Sequence, residues 1–173
     1  MNLAYKHLLP ANFHEDSRVW IYQSSRLFQL SEALEIEEML NNFTAGWLSH
    51  GAEVDAYGNL LFGQFVMLMV DERKSGVSGC STDASVRFIK ELGEKFSVDF
   101  FNRTMLAFAV KDKIELLPVS QVAYAIQNNF ISHDTLYFNN LVQTKKELEN
   151  NWLIPVKQSW LAAKLNLPAE FRV

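Results

Sequence analysis

Three short runs limit what this chain can fold into. RVWIYQ (Arg18–Gln23), QFVMLMV (Gln64–Val70) and MLAFAV (Met105–Val110) are rich in large apolar residues, and they place such residues on both alternating sets. A strand with one wet face alternates apolar with polar, and these runs do not. Each therefore predicts a strand inside a sheet covered on both faces, and the rest of the chain has to supply the cover. There is enough chain to do so, because 173 residues that are 49% hydrophobic and 21% charged suit one globular domain with a sizeable core.

The segments between the strands read as helices and turns. Ser31 suits an N-cap, and Ala33, Ile36, Leu40, Phe43 and Trp47 follow at helical spacing until Ser49-His50-Gly51 ends the helix. Glu53–Phe62 and Gln64–Glu72 read as two strands joined by a turn, for which both Tyr57-Gly58-Asn59 and Gly63 offer turn residues. Ser81 or Thr82 then caps a second helix with the stripe Val86, Ile89, Leu92 and Phe96, while Gly93 and Ser97 weaken its end. After MLAFAV, Lys111-Asp112-Lys113 turns into a short strand, Ile114–Leu117.

This order predicts an α+β, ferredoxin-like split βαβ sandwich over about residues 17–117, an antiparallel sheet with two helices on one face. Beyond Pro118 the spacing turns helical, with Val122 and Ile126 on one face, a helix from Thr144 to Trp152 stopped by Pro155, and a last one from Ser159. About residues 118–173 thus predict a helical extension of the same single domain, packed on its core. Either that extension covers the second face of the sheet, or a second copy of the chain does so in a homodimer.

Composition removes several classes of function. A net charge of −4 argues against a broad grip on nucleic-acid backbones. No apolar run approaches the ~18 residues of a membrane span, and the first ten residues do not read as a signal peptide. A single cysteine excludes an internal disulfide and suits a reducing compartment, so a soluble cytoplasmic protein is expected. His7, His14, His50 and His133 are scattered without ligand spacing, and neither a metal nor another cofactor is expected.

One loop draws chemical attention, SGVSGCSTDASVRF (Ser75–Phe88), which holds the cysteine directly before the second helix. The split βαβ topology would bring Cys80 and His50 to one sheet edge, together with Trp47, Ser49, Gly51, Ser78, Gly79, Ser81 and Asp83. Cys80 is then a candidate nucleophile with His50 as its base, since a helix N-terminus lowers a thiol pKa. A second reading makes Ser78, Gly79, Ser81, Thr82 and Asp83 a loop for a small anionic ligand or a partner, with Trp47 beside it and Arg103 supplying charge. The third is plain structure, a small cysteine closing a tight turn and a histidine at a helix end. The expectation is a non-catalytic module that binds a small anion or a partner at Ser75–Asp83, with a thiol-dependent enzyme as the alternative.

The segments VWIYQSSR, GWLSHG and SGCSTDASV, in that order in a chain of this size, resemble a family of small bacterial proteins of unknown function that carry the name "ABC transporter ATPase". The resemblance covers about residues 15–165 and implies no established activity or catalytic residue. FVMLMVDE (Phe65–Glu72) looks like a Walker B strand, but the lysine-bearing P-loop, G-x-x-x-x-G-K-[ST], occurs nowhere in the chain. ATP hydrolysis is accordingly not expected.

Overall fold

The run FVMLMV organises the larger part of the molecule. In the computed structural model, which describes residues 1–49, 52–73 and 79–165 apart from the side chains of Cys80 and Ser81, the chain is mixed α+β and divides into two compact units. The larger unit comprises Leu3–Phe101 and Val142–Glu149. Its elements are β1 (Arg18–Gln23), α1 (Leu30–Ala45), β2 (Leu48–Ser49), β3 (Ala52–Glu53), β4 (Asp55–Leu61), β5 (Phe65–Asp71) and α2 (Gly79–Phe96).

Every residue of β5 is buried, and β5 lies between β1 and β4, antiparallel to both. Val66, Leu68 and Val70 share one core with Ile36 and Leu40 of α1 and with Phe88, Ile89, Leu92 and Phe96 of α2, which puts both helices on one face. Phe43 and Phe88 stack between the helices at 4.3 Å. Phe65, Met67 and Met69, which alternate to the opposite face, are fully withdrawn from solvent as well. The continuous apolar run thus has the doubly covered position that its pattern demands.

The ends of the helices differ from the sequence reading. Gln29, two residues before Ser31, is the N-cap of α1 and forms a capping box with Glu32. The helix stops at Ala45 with Gly46 as its cap, and Trp47 stands beyond its end. Helix α2 runs through Gly93 to Phe96, and Ser97 turns left-handed at φ 53° so that the Val98 N–H reaches the Gly93 carbonyl at 3.0 Å. Arg26 joins the two helix ends. It forks onto Glu32 at 2.8 and 2.7 Å and donates to the last carbonyl of α2, Phe96, at 2.8 Å, so a carboxylate meets a helix N-terminus and a cation a C-terminus.

The smaller unit comprises Met1–Asn2, Asn102–Leu141 and Asn150–Val173. Here β6 (Met105–Val110) pairs with β7 (Lys113–Pro118) across a turn that holds Lys111 at φ 52°. Helix α3 (Val122–Gln127) follows, then β8 (Leu136–Phe138). Helix α4 (Lys145–Asn151) begins in the larger unit, and β9 (Leu153–Pro155) and α5 (Leu161–Lys164) complete the order. The sheet runs β7-β6-β8-β9, antiparallel throughout, over a core of Leu106, Phe108, Val122, Ala125, Ile131, Tyr137, Val156 and Leu161.

Two expectations change here. Met105–Val110 is not a fourth strand beside β1, because β7 and β8 occupy both of its edges. The free edge of β1 is met by residues 143–145 of its own unit: Val19 donates to Gln143 O at 2.8 Å, and Lys145 donates to Ser17 O at 2.9 Å. The region beyond residue 118 is also not purely helical, since it contributes β8 and β9 to the second sheet. These strands are three residues long, too short for alternation to register in the sequence.

The Arg26 clamp gives a pH prediction. Hydrogen bonds from Arg26, and then from the Gln29 N–H, lower the Glu32 pKa from 4.5 to about 2. A depressed carboxylate stabilises the fold above its unfolded pKa, and that contribution is lost as pH falls from 4.5 through about 2. Urea unfolding of Glu32→Gln should show lower stability at neutral pH and a shallower decline in acid than the parent. Identical pH slopes in the two proteins would mean that the clamp contributes nothing.

Candidate functional site

The predicted loop edge is only partly within the described residues. His50 and Ser78 lie outside them, as do the side chains of Cys80 and Ser81. Gly79 opens α2 and is exposed, with open space where a Cβ would stand. Thr82 is half-buried and accepts the Ser85 hydroxyl on its carbonyl at 2.7 Å, while Asp83 is exposed. Strand β2 lies against α2. Trp47 is a core residue: it is 2% exposed, with its ring 4.9 Å from Phe43 and 6.0 Å from Trp20. Arg103 is exposed and belongs to the smaller unit, whereas the other candidates belong to the larger.

Asp71, the acidic residue that ends the Walker-B-like run, is committed to structure. Its carboxylate accepts Arg73 Nε and Nη2 and the backbone N–H of His14 and Arg73. The Arg73 hydrogen bonds hold its pKa well below the usual carboxylate range. Arg73 donates on to Asn12 O at 2.9 Å, so the pair ties residues 12–14 to the end of β5. With its oxygens taken up in this way, Asp71 serves as a strut. Among the described residues no group of three or more His, Cys, Asp and Glu side chains could hold a metal. No described helix is long and apolar enough to cross a membrane.

A different surface stands out, the outward side of α1. While Ile36 and Leu40 face the core, Leu30 and Leu34 are 78% and 60% exposed, and Leu27 just before the helix is 61% exposed. Single exposed leucines are ordinary, whereas neighbouring ones at helical spacing are a feature to explain. Further along, α1 and β4 border a half-open cleft of about 170 Å3 lined by Glu37, Asn41, Tyr57, Gly58 and Asn59. Tyr57 donates to Leu8 O at 2.7 Å and accepts Asn59 Nδ2 at 2.7 Å, which fixes that wall. Among the described residues, the Glu37 and Asn41 side chains have no hydrogen-bond or ion-pair partner.

Leu30 and Glu37 are seven residues apart, as are Leu34 and Asn41. Two turns separate the members of each pair, with an angular drift of only ~20°, so the leucines and the helical wall of the cleft share one face. The sequence held a sign of this surface. Once Ala33, Ile36, Leu40 and Phe43 are assigned to the core, Leu30 and Leu34 remain as large apolar residues on the polar side of the helix. The cleft had no such sign, since it depends on how closely α1 approaches Gly58.

No family model, curated protein or solved structure matches the chain.

Gly58 sets that approach. A Cβ there would come within 3.0 Å of Leu40 Cδ2 and 3.3 Å of Thr44 Cγ2. Gly58→Ala should therefore destabilise the protein by about 1–3 kcal/mol in urea unfolding, despite the general advantage of alanine over glycine in a strand. A more stable variant would show that the helix is free to shift outward.

Proposed function

We propose that this chain is a non-catalytic binding module that engages a protein partner through the outward face of α1. The observation that carries this reading is the pair Leu30 and Leu34, 78% and 60% exposed one turn apart on α1, with Leu27, 61% exposed, just before the helix, while Ile36 and Leu40 of the same helix fill the core. Covering them would remove apolar area from water at about 25 cal/mol per Å2, enough to supply the anchors of an interface. The frame behind the helix supports the reading, because the Arg26 clamp, the capping box and the Phe43–Phe88 stack hold α1 in place before any partner arrives. The order β1-β5-β4 with two helices on one face is compatible with three strands of a ferredoxin-like unit, which we take as the scaffold. A soluble, cytoplasmic setting accords with the single cysteine.

The test is a displayed library of 16-residue peptides selected on the immobilised protein. Binders should compete with one another and be lost on the double variant Leu30→Glu, Leu34→Glu. That variant should keep its stability within about 0.5 kcal/mol, because both positions are exposed and glutamate is a good helix former. Binders indifferent to the double substitution would defeat the proposal.

The loop at Ser75–Asp83 supports the alternative reading, in which Cys80 acts as a nucleophile with His50 as base. Cys80 is the second residue of an 18-residue helix, where the dipole favours a thiolate. Alkylation by iodoacetamide as a function of pH decides it. A midpoint well below the ~8.5 of a free thiol, shifted upward in His50→Ala, would favour the enzyme reading. A rate equal to that of the denatured protein, or no modification, leaves the binding module.

A further inference from the structure

The face of α1 has a second half, and it says what kind of partner the first half would hold. The leucines are followed on the same face by Glu37 and Asn41, and Glu38 stands next to Glu37, exposed and without an ion-pair partner among the described residues. Other carboxylates of this helix are matched within the fold, Glu32 by Arg26 and Glu35 by Lys95. One uncompensated carboxylate, Glu37, therefore stands where α1 meets the cleft, with Glu38 about 100° further round the helix. Asn59 gives one Nδ2 hydrogen to the Tyr57 hydroxyl, and its Oδ1 has no partner among the described residues. A carboxylate and amide oxygens beside one another form a site for a donor-rich cation, a lysine ammonium or an arginine guanidinium. A volume of about 170 Å3 suits one side-chain head. Drug-sized ligands need about 300–1,000 Å3.

Resting on the partner-binding reading above, we infer that α1 receives a basic amphipathic segment, with apolar side chains on Leu27, Leu30 and Leu34 and one Lys or Arg in the Glu37 cleft. The spacing is set by the helix. Leu30 to Glu37 spans about 10 Å along the axis, so a helical partner lying along α1 would carry its cation about seven residues from an apolar anchor. A second copy of the chain fits less well, because an antiparallel pair of α1 helices centred on the leucines would lay Glu37 against leucine and desolvate a carboxylate without a cation. An anionic lipid surface is opposed by the same glutamates.

Sequenced binders from the peptide library should share apolar residues three or four apart and a Lys or Arg about seven residues from one of them. With synthetic peptides followed by fluorescence anisotropy, Glu37→Gln should weaken an arginine-bearing binder about 5- to 10-fold and leave its Arg→Gln counterpart unchanged. Raising the salt should shrink the difference. Glu37→Lys should prefer the Arg→Glu peptide, a charge exchange that loss of folding cannot imitate. Leucine-dependent binders without the spaced cation, or with equal affinity for Glu37→Gln, would overturn the basic partner while sparing the docking face. Binders indifferent to the leucine variant would remove the face itself. Concentration-dependent dimerisation abolished by that variant would give the face to a second copy and overturn this inference.

Discussion

The larger unit depends on one demand, that β5 be dry on both faces. A strand of seven buried residues has no amphipathic solution and must be placed centrally and covered. On the face bearing Val66, Leu68 and Val70 the cover is α1 and α2, and the apolar spacing of each helix follows from that duty. The two edges of β5 are satisfied by β1 and β4, which run parallel to one another on either side. Asp71 at the end of the strand then needs a partner for a buried charge, and Arg73, two residues on, provides it.

Helix α1 carries two loads because of this placement. Its inner face has to sit close to the sheet, and Gly58 permits that by leaving room for Leu40 and Thr44. Its ends are tied, the first by Glu32 to Arg26 and the neighbouring end of α2, the last by Gly46, whose N–H returns to Asn42 O at 3.3 Å. A helix held in this way keeps its outer face in a fixed orientation, and fixed orientation lowers the entropy that a partner would otherwise have to overcome.

The sequence made some of this legible and concealed the rest for identifiable reasons. Strands β1 and β5 were readable because RVWIYQ and FVMLMV are long enough to declare both faces, whereas the two-residue strands β2 and β3 were not. Helix α1 was readable in position but not at its ends: Gln29 is an unusual cap that works through its reciprocal bond with Glu32, and Trp47 continues the helical spacing after the helix has stopped. The partition into two sheets was not readable, because MLAFAV announces a buried strand without naming its neighbours, and LYF and LIP at β8 and β9 are too short to announce themselves. Among the candidate site residues, Trp47 shows the same ambiguity, since a tryptophan near a small-residue loop looks alike whether it stacks on a ligand or on Phe43.

The juxtaposition on α1 separates affinity from selectivity. Exposed leucines alone attract any apolar surface, which makes them a hazard as much as a site. A carboxylate two turns away changes the outcome by exclusion. A segment that covers the leucines but brings an apolar or acidic group to Glu37 must strip water from that charge and leave it unpaired, a cost of the same order as the apolar contacts gain. A segment with a cation at that distance avoids the cost and gains a charge-assisted hydrogen bond. The leucines would thus set how tightly α1 binds, and Glu37 which partners it rejects.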